Sequence, residues 1–181
     1  MASLFSHAVA ALGIGAAFYQ PGFPRRAWAM GTACAIVPDL DVIGFRFGVH
    51  YGDFWGHRGF THSLVFAVIL ALLPTVIAFP LNTSYDRRIL WLYLFLAASS
   101  HGLLDAVRDG GLGVAFLSPF DLTRYFFPWR PVLVSPIGVG RFFSVRGAAV
   151  LRTEIVWIWL PSAFLAAFAF LLRRGRPARS S

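Results

Sequence analysis

The chain has 181 residues, 57% of them hydrophobic and 13% charged, where an ordinary soluble domain carries about a quarter charged residues. One compact core of this size cannot hide so many large apolar side chains behind a polar surface, which argues against a water-soluble fold and for the bilayer as solvent. The net charge of +8 comes from 16 basic residues, all arginine, and the single Cys34 excludes an internal disulfide or a thiolate metal cluster.

A spanning helix needs about 20 mostly apolar residues, and five stretches approach that, so an all-α bundle of four to five transmembrane helices is expected. The first runs from Leu4 to Tyr19 and stops at Gln20, Pro21 and Gly22. It lacks the basic region that precedes the apolar core of a signal peptide, so it is read as retained. The second, Ala27 to Phe45, is interrupted at Pro38-Asp39-Leu40-Asp41, where proline should unwind or kink the helix. The third spans Ser63 to Leu81 and the fourth Ile89 to Val107. A segment of residues 108–152, rich in Pro, Gly, Arg and aromatics, is too broken to span, and its Phe126, Phe127 and Trp129 suit the headgroup region. The last stretch, Thr153 to Leu172, leads into a basic tail, 173–181, so residues 1–172 are read as one membrane domain.

Alternating the crossings puts Arg25, Arg26, Arg87, Arg88, Arg173, Arg174, Arg176 and Arg179 on one side, in short segments near helix ends. The positive-inside rule places that side in the cytoplasm. Because the arginines divide between two sides and form no continuous stripe, a nucleic-acid partner is disfavoured.

Ionisable groups in apolar stretches mark function by default, and here they converge. His7, Asp39, Asp41, His57, His62, His101, Asp105 and Glu154 all fall toward one leaflet, opposite the cytoplasmic arginines. Imidazole with carboxylate is the usual donor set of catalytic zinc, and it also suits manganese or iron. His101 and Asp105, four apart, share a helix face. Singly, each element has a plainer reading: a buried hydrogen-bonded pair for His101 and Asp105, a helix-ending turn for Asp39 and Asp41, a first-turn acid for Glu154. His50 and Asp53 are read as loop residues.

Ser6-His7-Ala8, Pro38-Asp39-Leu40-Asp41, His57-Arg58-Gly59-Phe60-Thr61-His62-Ser63 and His101-Gly102-Leu103-Leu104-Asp105 together resemble the LexA-regulated, YdjM-type family of predicted membrane-bound metal-dependent hydrolases. Further pieces of the resemblance are Leu117-Ser118-Pro119-Phe120, Phe127-Pro128-Trp129-Arg130-Pro131, Ser135-Pro136-Ile137 and Gly140-Arg141-Phe142-Phe143-Ser144, so it covers nearly the whole chain. It implies metal dependence and a bacterial inner membrane. The order of the His and Asp motifs is also similar to zinc-dependent phospholipase C, which implies ligand roles for His7, Asp39, His57, His62, His101 and Asp105, with Glu154 available to complete the set. Those enzymes are soluble and carry further histidines that this chain lacks, which leaves the number of ions open between one and three.

The expected chemistry is hydrolysis of a phosphoester in a lipid or lipid-linked substrate by metal-activated water, zinc being the expected ion. Arg58, Arg141 and Arg146 are candidates to bind phosphate, and Asp41, Asp109 and Glu154 are candidates for the general base. Two other readings stay open: a metal or proton transporter, and a non-catalytic membrane protein with a structural metal.

Overall fold

The computed structural model describes residues 3–79, 85–136 and 139–174. Leu81, Ile137, Arg176, Arg179 and the tail beyond Arg174 lie outside the described residues, as does the side chain of Arg141. Among the described residues the architecture is all-helical, with two isolated β-bridges, Arg108 to Val132 and Val114 to Tyr125, and no strand.

Helix α1, Leu4–Phe18, starts at Ser3, whose hydroxyl accepts the Ser6 N–H. Helix α2, Arg25–Ile36, follows Pro24 and runs into an 11-residue 3-10 segment, Val37–Phe47. Such coils rarely exceed three or four residues, and the sequence break at Pro38-Asp39 is thus a tightened coil rather than an unwound end. After a glycine-rich loop and a 3-10 turn, Phe60–His62, Ser63 caps α3, Leu64–Ile77, by accepting the Phe66 N–H. Asp86 caps α4, Arg87–Ala106, in the same way through Arg88 N–H. An irregular stretch then leads to a short α5, Val139–Phe142, and to α6, Val145–Glu154, a π turn, Ile155–Trp159, and α7, Leu160–Arg174. The last three form one continuous span that starts at Val145, ahead of the predicted Thr153, because Ser144 caps it through Gly147 N–H.

Arg25–Phe47, Arg87–Ala106 and Val145–Arg174 are each long and apolar enough to cross a membrane, and α1 and α3 are shorter apolar helices. Contacts show that these rods alternate in direction. Tyr85 donates to Phe18 O, Arg87 to Thr75 O and Arg173 to Ala16 O at one end of the bundle. His7 stacks on His101, and Ser6 bonds Glu154, at the other.

Helix α4 is the central rod, packed by α1, α2 and α3. Small residues let the backbones close, at Ala27, Gly31 and Ala35 on α2 and at Ala67 and Ala71 on α3, the spacing that membrane helices use for close approach. A Cβ on Gly31 would collide with the Tyr93 ring. Outer faces are apolar, with Leu72, Leu73, Val76, Ile77, Phe164 and Leu171 exposed, as helix surfaces in lipid require.

Candidate metal centre

One helix, one 3-10 coil and one loop converge on the C-terminal end of α4. His101, Asp105 and Arg108 succeed each other at one-turn intervals on a face of α4 and its continuation, and all three are fully buried. In α1 the Ser3 cap sets His7 one turn in, where its ring lies parallel to His101 at 3.8 Å between centroids. Successive residues of a 3-10 coil turn by about 120°, so Asp39 and Asp41 leave on different sides. Asp39 meets His7 and His101, and Asp41 meets His57 and His62.

The loop carrying His57, Arg58 and His62 is strapped in place by Arg124, whose guanidinium donates to the carbonyls of His57, Tyr51 and Asp53. Arg58 has φ 66, a left-handed conformation unusual for a side chain with a Cβ. It is held there because its N–H reaches Asp41 Oδ2, its Nε donates to Asp105 Oδ2 and its carbonyl accepts Ala115 N–H. The His62 turn lies against α4 at Gly102, where an added Cβ would come within 2.9 Å of His62 O. Gly102→Ala is therefore expected to push His62 away from His101 and weaken metal binding; an unchanged affinity by metal titration would show that this approach is not needed.

The donor atoms of Asp39, His62, His101 and Asp105 all lie within 4.8 Å of one another. His62 Nε2 and His101 Nε2 are 3.0 Å apart, and His101 Nε2 stands 3.4 Å from Asp39 Oδ1. His62 Nε2 is 3.7 Å from Asp105 Oδ2, and His7 Nε2 is 3.8 Å from both Asp39 Oδ2 and Asp105 Oδ1. Ligands at the usual zinc distances stand about 3.3 Å apart at the tetrahedral angle, so this spacing fits a metal ion.

Hydrogen bonds on the far side of each ring decide which nitrogen faces inward. His101 Nδ1 donates to Ala35 O at 2.7 Å, and His57 Nδ1 to Asp41 Oδ1 at 2.8 Å. His62 Nδ1 stands 3.2 Å from Asp41 Oδ2, to which Thr61 also donates. Each ring so anchored, when neutral, turns an Nε2 lone pair to the interior. Burial, helped by the facing His101 and opposed by Asp41, holds the His62 imidazole down at about 4, so it is neutral at physiological pH. Two imidazole nitrogens facing each other at 3.0 Å suit a shared cation. A proton there would satisfy that one contact, but both nitrogens of His7, both oxygens of Asp39 and His57 Nε2 are also buried without a hydrogen-bond partner. Unpaired buried polar atoms each cost about 1–3 kcal/mol. The site also gathers four buried carboxylates, Asp39, Asp41, Asp105 and Glu154, beside the buried guanidiniums of Arg58 and Arg108. A metal ion held there would give the unpartnered donors a partner.

The model of the YdjM inner membrane protein family matches residues 1–176. The chain belongs to this family. It is also 39% identical to the inner membrane protein YbcI of Escherichia coli, over 96% of this chain and all of that protein. No solved structure matches significantly.

In this YdjM-family chain the six residues with implied ligand roles, His7, Asp39, His57, His62, His101 and Asp105, are at most 4% exposed; Asp39, His62, His101 and Asp105 form one group, His7 stands 3.8 Å from Asp39 and Asp105, and His57 joins Asp41 and His62 in a second group. The candidate bases fare differently. Asp41 contacts His57, His62 and Thr61, and with the two histidines it forms a second group that could hold a metal ion. The Glu154 carboxylate accepts the Ser3 N–H, the Ser3 and Ser6 hydroxyls and Arg108. Asp109 is exposed and accepts the Val134 N–H at 2.7 Å, so it does not join the cluster. Of the candidate phosphate binders, Arg146 is exposed on α6. Arg58 is wholly buried on Asp105 and Gly110 O, with one guanidinium nitrogen unpartnered. His50 and Asp53, read from the sequence as loop residues, lie on an exposed loop, where they pair. Arg108 went unrecognised, although its place three residues after Asp105 on the same face was a usable signal.

Proposed function

We propose that this chain is a membrane-embedded, metal-dependent hydrolase that cleaves a phosphoester of a lipid or lipid-linked substrate. The observation that carries the reading is the approach of the His62 and His101 Nε2 atoms to each other and to Asp39, whose oxygens, like the nitrogens of the neighbouring His7, have no hydrogen-bond partner. Mixed imidazole and carboxylate donors suit zinc best, with manganese and iron as the other ions of this chemistry. A divalent cation held there supplies Lewis acidity that polarises a phosphoryl oxygen and activates water.

The protein's own groups serve that chemistry by orientation. Asp41 fixes the tautomers of His57 and His62, and Ala35 O fixes that of His101. The unpartnered nitrogen of Arg58 is available for an anionic oxygen. An open apolar groove of about 590 Å³, lined by Leu12, Trp28, Ile36, Val37 and Leu40, runs along the coil that carries Asp39 and has room for an acyl chain. A transporter would need polar groups continuing through the bundle, whereas the other half of α4 buries Leu90, Tyr93, Leu94 and Ala97.

The test is release of phosphate or headgroup from phospholipids and polyprenyl phosphates by purified protein in detergent. Turnover that is lost on chelation and in Asp39→Ala supports the reading. A tightly held metal with no turnover on either class favours the structural-metal alternative, which the near-complete burial of the ligands would suit. The cluster is assigned to the extracytoplasmic end, since the opposite end carries the clustered arginines. A reporter fused after Ser181 should accordingly be active only as a cytoplasmic enzyme; activity of a periplasm-dependent reporter would reverse the assignment.

A further inference from the structure

Glu154 and Arg108 form a buried link between the last span and the cluster. Arg108 Nη2 donates to Glu154 Oε1 at 2.7 Å, its Nη1 donates to Leu133 O, and its Nε stands 3.6 Å from Asp105 Oδ1. On its other side the Glu154 carboxylate takes the Ser3 N–H at 2.7 Å, the Ser3 hydroxyl, and the Ser6 hydroxyl at 2.7 Å. The same Ser6 hydroxyl accepts from Trp159 Nε1 at 2.9 Å, across the π turn that follows Glu154. One carboxylate therefore holds the start of α1, one residue before His7, and through Arg108 the carboxylate of Asp105. Both side chains of the pair are fully buried, so water does not screen the link.

We infer that Glu154 and Arg108 are positioning residues that set metal affinity by fixing His7 and Asp105 relative to each other. This rests on the metal reading above. Neither residue acts as a ligand in this arrangement: Glu154 is saturated by four donors, and guanidinium nitrogen carries no available lone pair. Removing outer partners of metal ligands typically lowers affinity by about 10–100-fold, and loss of the link should fall in that range. Lysine at position 108 would supply the charge but not the planar fork that reaches Asp105, Glu154 and Leu133 O together.

The experiment titrates detergent-purified wild type, Glu154→Gln, Arg108→Lys and the double variant Glu154→Gln/Arg108→Met with Co²⁺, reading affinity and the visible ligand-field bands. Helix content by circular dichroism runs in parallel. The double variant removes both buried charges together, so it stays informative if a single variant fails to fold. The expected result is bound Co²⁺ in wild type, with affinity lowered about tenfold or more and shifted bands in folded variants. Wild-type affinity and bands in the folded variants would overturn the inference and leave the metal reading standing. No Co²⁺ binding by folded wild type would overturn both.

Discussion

Replacing His101 with alanine is expected to cost the protein most of its bound divalent metal. The ring touches three members of the cluster: Nε2 faces His62 at 3.0 Å and Asp39 at 3.4 Å, the ring face stacks on His7, and Nδ1 is fixed on Ala35 O. The loss should exceed the roughly 10–100-fold typical of outer partners, because a donor atom itself disappears. Metal content measured on the purified variant checks this. Asp39→Ala should do the same by removing two carboxylate oxygens that face the three histidines His7, His62 and His101 with no hydrogen-bond partner. Undiminished metal in both variants would remove this cluster from consideration as the binding site.

The second large effect is on stability. Arg58→Ala removes a guanidinium that is fully buried against Asp105 and Gly110 O, and it takes a positive charge out of a cluster rich in carboxylates. Breaking a buried pair from one side costs about 3–5 kcal/mol. Arg58→Gly should be less harmful, by about 1 kcal/mol, since glycine takes the φ 66 backbone without the steric cost that alanine meets. Unfolding of the three proteins in the same detergent gives both numbers. Added metal should restore part of the lost stability, because ligand that binds the native state stabilises it by mass action. Equal stability of wild type and Arg58→Ala would mean that the Asp105 pair contributes nothing.

The fold was readable from the sequence where it depends on apolar length. The five predicted stretches correspond to α1, to α2 with its 3-10 coil, to α3, to α4 and to the final span, and their alternation puts the polar residues at one end as expected. The site was readable where spacing and residue type coincide: His101 and Asp105 at one helical turn, and His57 and His62 in one short loop. What could not be read was how far each charge is already committed. Asp41, Arg58 and Glu154 have the residue types of a base, a phosphate clamp and a ligand, yet their side chains are largely occupied by neighbours distant in sequence, such as Ser3 for Glu154. The early start of the last span was hidden for a related reason. Arg146 and Arg152 dilute its hydropathy, while the decisive cap at Ser144 is a local hydrogen bond that hydropathy does not register.

The central claim is that the buried histidine and aspartate cluster holds a divalent metal, and elemental analysis of the purified, folded protein tests it most directly. The account predicts a stoichiometric transition metal, zinc foremost, that survives dialysis and falls away in His101→Ala. Folded wild-type protein that carries no such metal, and takes none up when it is supplied, would contradict it.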